Sequence, residues 1–325
     1  MFLSIKGVGK SVPGRAVDNL EMEKLCDTND EWIATRTGIK SRYFVTSETM
    51  NDLASEALEN ALDMADFYAR ELDFIILTTC TADNSIPSEA CALKKRLSAE
   101  KAVAFDISAA CSGFTYGLWL ADCIMKAHSE ADKIAVVSAE INSKIIDPSD
   151  RSTFVLFGDG AGAAVLQRTE RPGILSSIAE SFYDNTSSLS CIGSPVENIF
   201  NPHRPRSGPK LFMDGRHIFR FASSVIVDHV LKISERSGKS LSDIDFIVPH
   251  QANERIIDYA VSKLNVPADK FFSNIAEYGN TSSASIPIAM CDLNDTGRLK
   301  NGDTVILTGF GGGLTAASVC LVWNV

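Results

Sequence analysis

The sequence predicts an α/β fold made of two related halves, and two observations lead to this prediction. Short apolar runs rich in β-branched residues alternate with amphipathic helical patterns along the 325 residues, as in proteins whose sheets are covered by helices. Several strand-like segments of the first half also recur, in the same order, in the second half. This recurrence favours an internal duplication.

Four apolar runs have the length and residue types of buried strands. They are DFIILTT (73–79), KIAVVSA (133–139), DFIVPH (245–250) and DTVILTG (303–309). Two of the helical patterns between them are NDLASEALENALDMA (51–65) and ASSVIVDHVLKISERSG (222–238). In the first of these, Leu53, Ala57 and Leu62 recur near one face, which predicts that this face packs against a sheet.

Three pairs of segments carry the duplication. They are LDFIIL (72–77) with IDFIVP (244–249), DKIAVV (132–137) with DTVILT (303–308), and GDGAGAAVL (158–166) with GGGLTAASVCLV (311–322). A chance likeness of apolar strands would explain any one pair, but three in order favour duplication. We expect an N-terminal half at 1–170 and a C-terminal half at 171–325, which includes a Ser-, Asn- and Pro-rich loop or lid at 181–210.

The charge balance excludes one class of partner. The chain has 31 Lys and Arg residues against 41 Asp and Glu, a formal net charge of −10, which argues against non-specific binding to nucleic acid. No apolar run approaches the ~18 residues of a membrane helix, and the first residues reach Gly and Lys too soon for a secretory signal. We therefore expect a cytoplasmic protein with no nucleic-acid or membrane partner.

The eight cysteines form no CxxC pair and have no histidine cluster nearby. In a chain of this length, such a pattern predicts neither a disulfide framework nor a metal site. We expect most of them to be small buried apolar residues, with chemistry at one or two.

Cys111 is the sharpest chemical signal. In DISAACSGFTYGLWLADCIM (106–125), small residues precede it and an apolar helical pattern follows. This predicts a strand-to-helix turn with Cys111 at the helix N-terminus, where the helix dipole favours a thiolate and small neighbours let a carbonyl group approach. The local sequence leaves two interpretations open, a nucleophile and a buried structural cysteine.

Two polar residues also lie where catalysis could use them. His250 closes an apolar strand in VPHQANERII (248–257), which indicates a cleft at the strand's end, although a hydrogen-bonded core histidine is the alternative. Asn280 lies in YGNTSSASIPIAM (278–290), where we predict a tight turn followed by a helix cap. An ordinary turn residue is the alternative for Asn280.

The glycines of GFGGGLTAA (309–317) can direct backbone amides toward an oxyanion. The segment lacks the GxGxxG spacing, and no Walker lysine follows it. Phosphate cradling is therefore not indicated.

Five motifs, taken in order, resemble β-ketoacyl-acyl-carrier-protein synthase III of the thiolase superfamily. They are DISAACSGFTYG, DRSTFVLFGDGAGAAVL, VPHQAN, GNTSSASIP and GFGGG. The resemblance extends from NDEWIATRTGIKSRY (29–43) nearly to the C-terminus. It implies a thiolase-like duplicated fold with five αβαβα layers, in agreement with the repeated strands, and a homodimer that starts type II fatty-acid synthesis.

The resemblance also implies a reaction, the decarboxylative Claisen condensation of a short acyl-CoA with malonyl-acyl-carrier protein. Cys111 would carry the acyl group, and its amide would form the oxyanion hole with that of Gly312. His250 and Asn280 would complete the catalytic triad and stabilise the enolate with N–H donors. No cofactor is implied, because coenzyme A and the carrier's phosphopantetheine are parts of the substrates.

Four residues match positions that bind coenzyme A in this family. Trp32, Arg36 and Arg151 match residues that hold the nucleotide, since a Trp face suits adenine and an Arg fork suits phosphate. Asn253 matches a residue that contacts the pantetheine arm. Without the resemblance, surface arginines and a core tryptophan would be the preferred interpretation.

Other positions match the docking surface and the acyl pocket. Gln251 to Arg255 match the carrier-docking segment, which Arg220 would extend, although Glu254 departs from the apolar residue common there. Ile86 matches the position that limits primer length across the dimer interface. It is aliphatic where Phe is frequent, so we expect primers bulkier than acetyl to fit.

Three alternatives remain beside the housekeeping enzyme, by which we mean the synthase that starts type II fatty-acid synthesis. One is a related condensing enzyme of a specialised pathway, which the HQAN and EWIATRTGI segments disfavour without excluding it. A hydroxymethylglutaryl-CoA synthase would need an added catalytic Glu, for which no matching motif is present. A non-catalytic thiolase-fold subunit would typically lack the nucleophile, whereas Cys111, His250 and Asn280 occur together here.

Overall fold

The computed structural model of the chain describes residues 1–193 and 210–325. Most of the expected loop or lid at 181–210 lies outside the described residues. The strands are β1 (Phe2–Ser11), β2 (Arg15–Asp18), β3 (Ser41–Phe44), β4 (Phe74–Thr78), β5 (Val103–Ile107), β6 (Lys133–Glu140), β7 (Gly160–Thr169), β8 (Ile174–Ser181), β9 (Leu189–Cys191), β10 (Leu211–Met213), β11 (Phe246–Pro249), β12 (Thr304–Gly311) and β13 (Thr315–Val322). The helices are α1 (Asn19–Met22), α2 (Asp30–Thr37), α3 (Met50–Ala65), α4 (Glu89–Arg96), α5 (Gly113–Ala127), α6 (Arg151–Phe154), α7 (Gly215–Arg236), α8 (Glu254–Leu264), α9 (Ile275–Tyr278) and α10 (Ser285–Asp295).

Two mixed sheets share one strand order. The first has the order β1-β7-β6-β4-β5, and the second has the order β8-β13-β12-β11. In both, the two strands that match the repeated segments are parallel, β4 with β6 and β11 with β12, and the remaining ladders of the second sheet are antiparallel like their counterparts. A parallel bridge between Ile247 and Phe271 stands where β5 pairs in the first sheet. The duplication indicated by the sequence is thus present in the topology.

Side chains alternate between the two faces of each strand, and each of the two large sheets packs on both sides. In β4, Ile75 and Leu77 lie in the core under α3 and α4, whereas Ile76 lies in the central core. In the second sheet, Ile306 packs toward α7 and α8, whereas Leu307 joins the central core. The layers are therefore helices, sheet, helices, sheet and helices, which confirms the expected five-layer αβαβα arrangement.

The central layer consists of α5 and α10, which both contribute buried residues to the core between the sheets. The close packing of α5 on the first sheet depends on glycine. A Cβ added at Gly117 of α5 would lie 2.6 Å from Cγ1 of Val136 on β6, well inside van der Waals contact. The N-termini of these two helices carry the candidate nucleophile and the Asn280 turn toward each other.

The bounds of the predicted elements agree closely with the structure, with one instructive difference. The helix predicted at 222–238 begins earlier, at Gly215, because the Asp214 side chain caps it by accepting hydrogen bonds from the amides of Arg216 and His217. The residues before 222 include Ile218, Phe219 and Phe221, so the apolar pattern extends further toward the N-terminus than the predicted start. Across the described residues, none of the helices has both the length and the apolarity needed to cross a membrane.

Two predictions of detail are wrong. Most cysteines were expected to be buried, but only three are, and all eight are free thiols. The four exposed ones lie on α4, α5, β9 and the loop after β4, so the type of element does not decide which cysteine is buried. The predicted helix cap at Ser282 and Ser283 is also absent, because α10 begins at Ser285 without a side-chain cap and both hydroxyls point to other partners.

Candidate active site

Cys111 lies in the turn between β5 and α5, as the sequence predicts. Residues Ala110–Ser112 form a single 3-10 turn directly before Gly113, the first residue of the helix. Small neighbours are required here, since a Cβ added at Gly311 of the facing β12 would lie 2.6 Å from the Cys111 amide nitrogen. The thiol is therefore held at a helix N-terminus, where the helix dipole favours a negative charge.

The Cys111 thiol is nevertheless shielded from solvent. The residue is 6% exposed, and burial raises the pKa of its thiol to about 12. Two interactions act in the opposite direction, a 3.4 Å contact between Sγ and the Ser282 hydroxyl and the residue's own backbone N–H. The thiolate must therefore be formed with help from its neighbours during the reaction.

His250 is buried at the end of β11, where its backbone N–H donates to the Thr308 carbonyl at 2.8 Å. Its Nδ1 lies 2.7 Å from the Ser285 hydroxyl, and the same hydroxyl accepts the Gln251 amide at 3.3 Å. The Ser285 hydroxyl can donate its own proton to Nδ1 while it accepts the Gln251 amide. In that arrangement the ring carries its proton on Nε2, and burial lowers the pKa of the ring to about 3, which keeps it neutral.

Asn280 is oriented by a comparable bond. Its Oδ1 accepts the Ser282 amide at 2.8 Å, so its Nδ2 group is the end that remains available as a donor. The tight turn predicted here is present, because Gly279 has a φ of +62° and Ser282 has a φ of +53°. His250 and Asn280 thus each present an N–H donor while their other polar atoms are held by the protein.

Two cavities meet at the nucleophile. The smaller, of about 90 Å³, is lined by Cys111, His250 and Asn280 together with Phe310 and Asn253. The structure therefore brings the three predicted triad residues into one space, although they come from distant parts of the chain.

The larger cavity, of about 570 Å³, shares Cys111 with the smaller one and is lined on its other sides by Cys80, Cys191, Ser282 and Gly312. Gly312 and Cys111 thus line the same cavity. The geometry can therefore place an acyl group on the sulfur in one cavity and a second substrate in the other.

The predicted nucleotide-binding residues form one cluster at the surface, in which Arg36 and Arg151 are exposed and Trp32 is half-buried. The guanidinium groups of Arg36 and Arg151 lie over the Trp32 ring, 4.8 and 5.1 Å from its centroid. Asn253 donates from Nδ2 to the Arg36 carbonyl at 3.0 Å and also lines the smaller cavity. The four residues thus trace a path from the surface to the triad.

Of the three predicted docking residues, two lie at the surface. Arg220 and Arg255 are exposed, and Arg255 lies over the ring of Phe219, 5.9 Å from its centroid. The Gln251 prediction is wrong, because this residue is 1% exposed. Its Nε2 donates to the carbonyls of Pro249 and Phe272, and its Oε1 accepts the Asn274 amide, so its polar atoms serve the fold.

Ile86 lies outside both cavities. It is 89% exposed, whereas its neighbour Ser85 lines the larger cavity. Within one chain, Ile86 therefore does not bound an acyl pocket, and the predicted role requires a second copy of the chain.

Sequence reasoning did not single out three residues that the structure places at the site. Glu140 is buried at the end of β6 and accepts hydrogen bonds from Ser282 and Ser283. Ser285 holds His250, and the Phe310 ring packs edge-on against the same imidazole with centroids 5.1 Å apart. Only Glu140 left a signal, since a carboxylate that closes an apolar strand is unusual.

Comparisons with known proteins agree with this geometry. The family model described as 3-oxoacyl-[acyl-carrier-protein (ACP)] synthase III matches residues 105–181, and the model of its C-terminal part matches residues 234–323. The chain is 44% identical to the β-ketoacyl-[acyl-carrier-protein] synthase III of Clostridium novyi (strain NT) over 322 residues, which cover 99% of each protein.

Two solved structures are similar over nearly the whole chain. The 3-oxoacyl-[acyl-carrier-protein] synthase III from Aquifex aeolicus VF5 is 40% identical, with a TM-score of 0.91 over 99% of this chain and 100% of that one. The priming β-ketosynthase of the R1128 polyketide biosynthetic pathway is 35% identical, with a TM-score of 0.92 over 99% of this chain and 96% of that one. The chain belongs to the β-ketoacyl-acyl-carrier-protein synthase III family, and it is an acyltransferase that performs the initiating condensation of fatty-acid synthesis.

Proposed function

We propose that Cys111, His250 and Asn280 condense a short acyl-CoA with malonyl-acyl-carrier protein. The observation that carries this proposal is the common cavity, in which a thiol at a helix N-terminus and two oriented N–H donors meet. No carboxylate lines this cavity among the described residues, so nothing there repels a developing oxyanion.

In the first half-reaction, Cys111 attacks the thioester carbonyl and keeps the acyl group, which divides one difficult step into two. The amides of Cys111 and Gly312 receive the negative charge that forms on the carbonyl oxygen. Trp32, with Arg36 and Arg151 on its ring, supports the proposal that the nucleotide of coenzyme A binds at this entrance.

In the second half-reaction, malonyl loses CO2 and its remaining thioester oxygen becomes an enolate. The Nε2–H of His250 and the Nδ2–H of Asn280 stabilise that oxygen. The enolate carbon attacks the acyl group on Cys111, the 3-oxoacyl product forms on the carrier, and the sulfur is released. No base is needed at the malonyl carbon, since decarboxylation itself creates the nucleophile.

We further propose that the enzyme is a cytoplasmic homodimer. Eight free thiols fit a reducing compartment. An isoleucine that is 89% exposed, next to a residue of the larger cavity, fits a position covered by a second copy. Arg220 and Arg255 supply an exposed basic surface for an acidic carrier protein.

Replacement of the nucleophile tests the first half-reaction. We expect Cys111→Ser to abolish acyl-enzyme formation and condensation, because a serine hydroxyl without a strong base is a poor nucleophile. Intact-mass measurement after incubation with acyl-CoA detects the covalent adduct. Peptide mapping that found the acyl group on Cys80 or Cys123 in the unaltered protein would overturn the proposal.

Replacement of the two donors tests the second half-reaction. We expect His250→Ala and Asn280→Ala to retain part of the acylation of Cys111 but to lose most malonyl decarboxylation, since their oxyanion arises only in the second step. Single-turnover assays separate the two half-reactions. A variant that decarboxylated malonyl normally but could not be acylated would contradict these roles.

A specialised pathway is the second candidate, favoured by the likeness to the R1128 priming ketosynthase and by the larger cavity of about 570 Å³ at Cys111. Intact mass after competition among acyl-CoAs of increasing length distinguishes the two. Preference for acetyl or another short primer supports the housekeeping role, whereas exclusive use of a long or functionalised acyl group supports the specialised one.

A further inference from the structure

A buried carboxyl group lies behind the nucleophile. The Oε1 atom of Glu140 accepts hydrogen bonds from the hydroxyls of Ser283 at 2.7 Å and Ser282 at 3.3 Å. Its Oε2 atom accepts from the Thr81 hydroxyl at 2.7 Å and from the Cys80 amide at 3.1 Å. None of the ion pairs between described residues includes Glu140, so hydrogen bonds alone support its charge.

Ser282 connects this carboxyl group to the nucleophile. Its hydroxyl oxygen lies 3.4 Å from the Cys111 sulfur and 3.3 Å from Glu140 Oε1. A hydroxyl that donates to Glu140 can accept the thiol proton at the same time. The Asn280 side chain holds the Ser282 amide at 2.8 Å, so the connecting residue is fixed by a member of the triad.

We propose that Glu140 receives the Cys111 proton through Ser282 when Cys111 is acylated, and returns it when the product leaves. This inference rests on the proposed role of Cys111. The S–H bond breaks as the proton passes to the Ser282 oxygen, while the proton of that hydroxyl passes to Glu140 Oε1. The sulfur forms its bond to the acyl carbon, and coenzyme A leaves as a thiolate that takes a proton from water.

The reverse transfer completes the cycle. When the condensation product departs, the bond between sulfur and acyl carbon breaks and the sulfur leaves as a thiolate. The Ser282 proton passes to that sulfur, and Glu140 returns its proton to Ser282. The enzyme then has a Cys111 thiol and an ionised Glu140, as at the start.

Charge explains why such a transfer is favourable in a dry site. Burial raises the pKa of both Cys111 and Glu140, and the charge of Glu140 contributes to the rise at Cys111. A thiolate beside an ionised carboxylate would place two negative charges in one buried space, at high cost. Transfer from one group to the other keeps a single negative charge there until coenzyme A leaves.

The transfer also prepares the second half-reaction. Once coenzyme A has left with the negative charge, Glu140 is protonated and the acyl-enzyme carries no buried carboxylate beside Cys111. The enolate then forms at His250 and Asn280 without a nearby negative charge to oppose it.

The other titratable groups on this side do not replace Glu140. Burial and the charge of Glu140 raise the pKa of the Cys80 thiol, but Cys80 contacts the carboxyl group through its amide. Lys144 donates to the Thr81 carbonyl at 3.0 Å and pairs with Asp83. Neither side chain bridges Glu140 and Cys111.

The neighbouring hydroxyl of Ser283 provides a matched control. It binds Glu140 more closely than Ser282 does, yet it has no contact with Cys111. If Ser282 mattered only because it supports the charge of Glu140, Ser283→Ala would slow acylation as much as Ser282→Ala does. If Ser282 carries the proton, only Ser282→Ala slows acylation.

The experiment measures acylation of the full-length enzyme by acetyl-CoA without malonyl substrate, using intact mass in single-turnover mixing from about pH 6 to 9. The variants are Ser282→Ala, Glu140→Gln and Ser283→Ala. We expect the first two to slow acylation about 10²-fold near pH 7, a typical contribution of general base catalysis, and Ser283→Ala to stay within about threefold of the unaltered enzyme. The difference in acylation rate between these two variants and the unaltered enzyme decreases as pH rises, because hydroxide can then remove the Cys111 proton directly.

Three results would overturn the proposal. Ser282→Ala could be acylated at the rate of the unaltered enzyme, Ser283→Ala could be slowed as much as Ser282→Ala, or the slower acylation of Ser282→Ala could be the same at every pH. If Glu140→Gln fails to fold, as judged by circular dichroism, Ser282→Ala decides alone. Peptide mapping of the unaltered enzyme tests the role of Cys111 separately, so failure of that role is distinguishable from failure of the proton path.

Discussion

The contact between Ser285 and His250 makes a strong prediction about the second half-reaction. Ser285→Ala removes the 2.7 Å bond to Nδ1 and the acceptor for the Gln251 amide. The ring is buried, so no water replaces the lost donor. The tautomer with its proton on Nε2 is then no longer favoured over the other. A smaller fraction of the enzyme can donate a hydrogen bond from His250 to the enolate.

The size of the effect follows from two limits. An unsatisfied buried polar group costs about 1–3 kcal/mol, and removal of a whole oxyanion donor costs about 2.7–4 kcal/mol. We expect a loss within the first range that does not exceed the lower end of the second, about 1.4–2.7 kcal/mol, which corresponds to about 10- to 100-fold in the decarboxylation rate. Acylation of Cys111 stays within about threefold, because His250 acts only on the second oxyanion.

Two measurements check the reasoning. Single-turnover decarboxylation of malonyl-carrier gives the rate, and the ¹⁵N chemical shifts of the His250 ring report which nitrogen carries the proton. Ser285→Thr, which retains a hydroxyl, restores both. Equal losses in acylation and decarboxylation, or a ring that keeps its proton on Nε2 in Ser285→Ala, would refute the proposed role of Ser285.

Further predictions concern substrates and pH. Trp32→Ala raises KM for acyl-CoA about fivefold to tenfold, since the substitution removes the proposed adenine-stacking ring and frees Arg36 and Arg151 from their position over it. KM for acyl-pantetheine, which has no nucleotide, stays unchanged; an equal increase would place Trp32 outside the nucleotide site. Arg255→Glu raises KM for malonyl-carrier and not for malonyl-CoA; equal increases would place Arg255 outside the docking surface. Ile86→Phe shifts kcat/KM from propionyl- and butyryl-CoA toward acetyl-CoA, at about 0.8 kcal/mol per methylene; an unchanged ratio assigns primer length to another residue. Because burial lowers the pKa of His250 to about 3, decarboxylation by the acyl-enzyme stays flat from about pH 8 to 5, whereas a midpoint near 6.5 would show that the ring titrates.

The elements that the sequence predicts correctly are those whose signal is local. The apolar runs became β4, β6, β11 and β12, because burial on both faces of a strand requires apolar residues at successive positions. The position of Cys111 was also predictable, since small residues before an apolar helical pattern mark a strand-to-helix turn.

Individual burial was less predictable, because it depends on residues far away in the chain. Gln251 lies in a polar segment beside exposed Arg255, yet the carbonyls of Pro249 and Phe272 and the amide of Asn274 enclose it. No pattern within the segment distinguishes an inward glutamine from an outward one.

The least predictable part of the site is the set of groups around the thiol. Glu140, Ser282 and Cys111 lie on a strand, a turn and a helix N-terminus. Ser282, which connects the other two, is 171 residues from Cys111 and 142 residues from Glu140 in sequence. The duplication explains why they meet, because equivalent central helices of the two halves, α5 and α10, begin side by side between the sheets. The Cys111 turn precedes one helix and the Asn280–Ser282 turn precedes the other, so a fold that places the halves together also places the nucleophile against its hydroxyl. The chemistry of this enzyme therefore depends on the interface between its two halves, which no single segment of the sequence encodes.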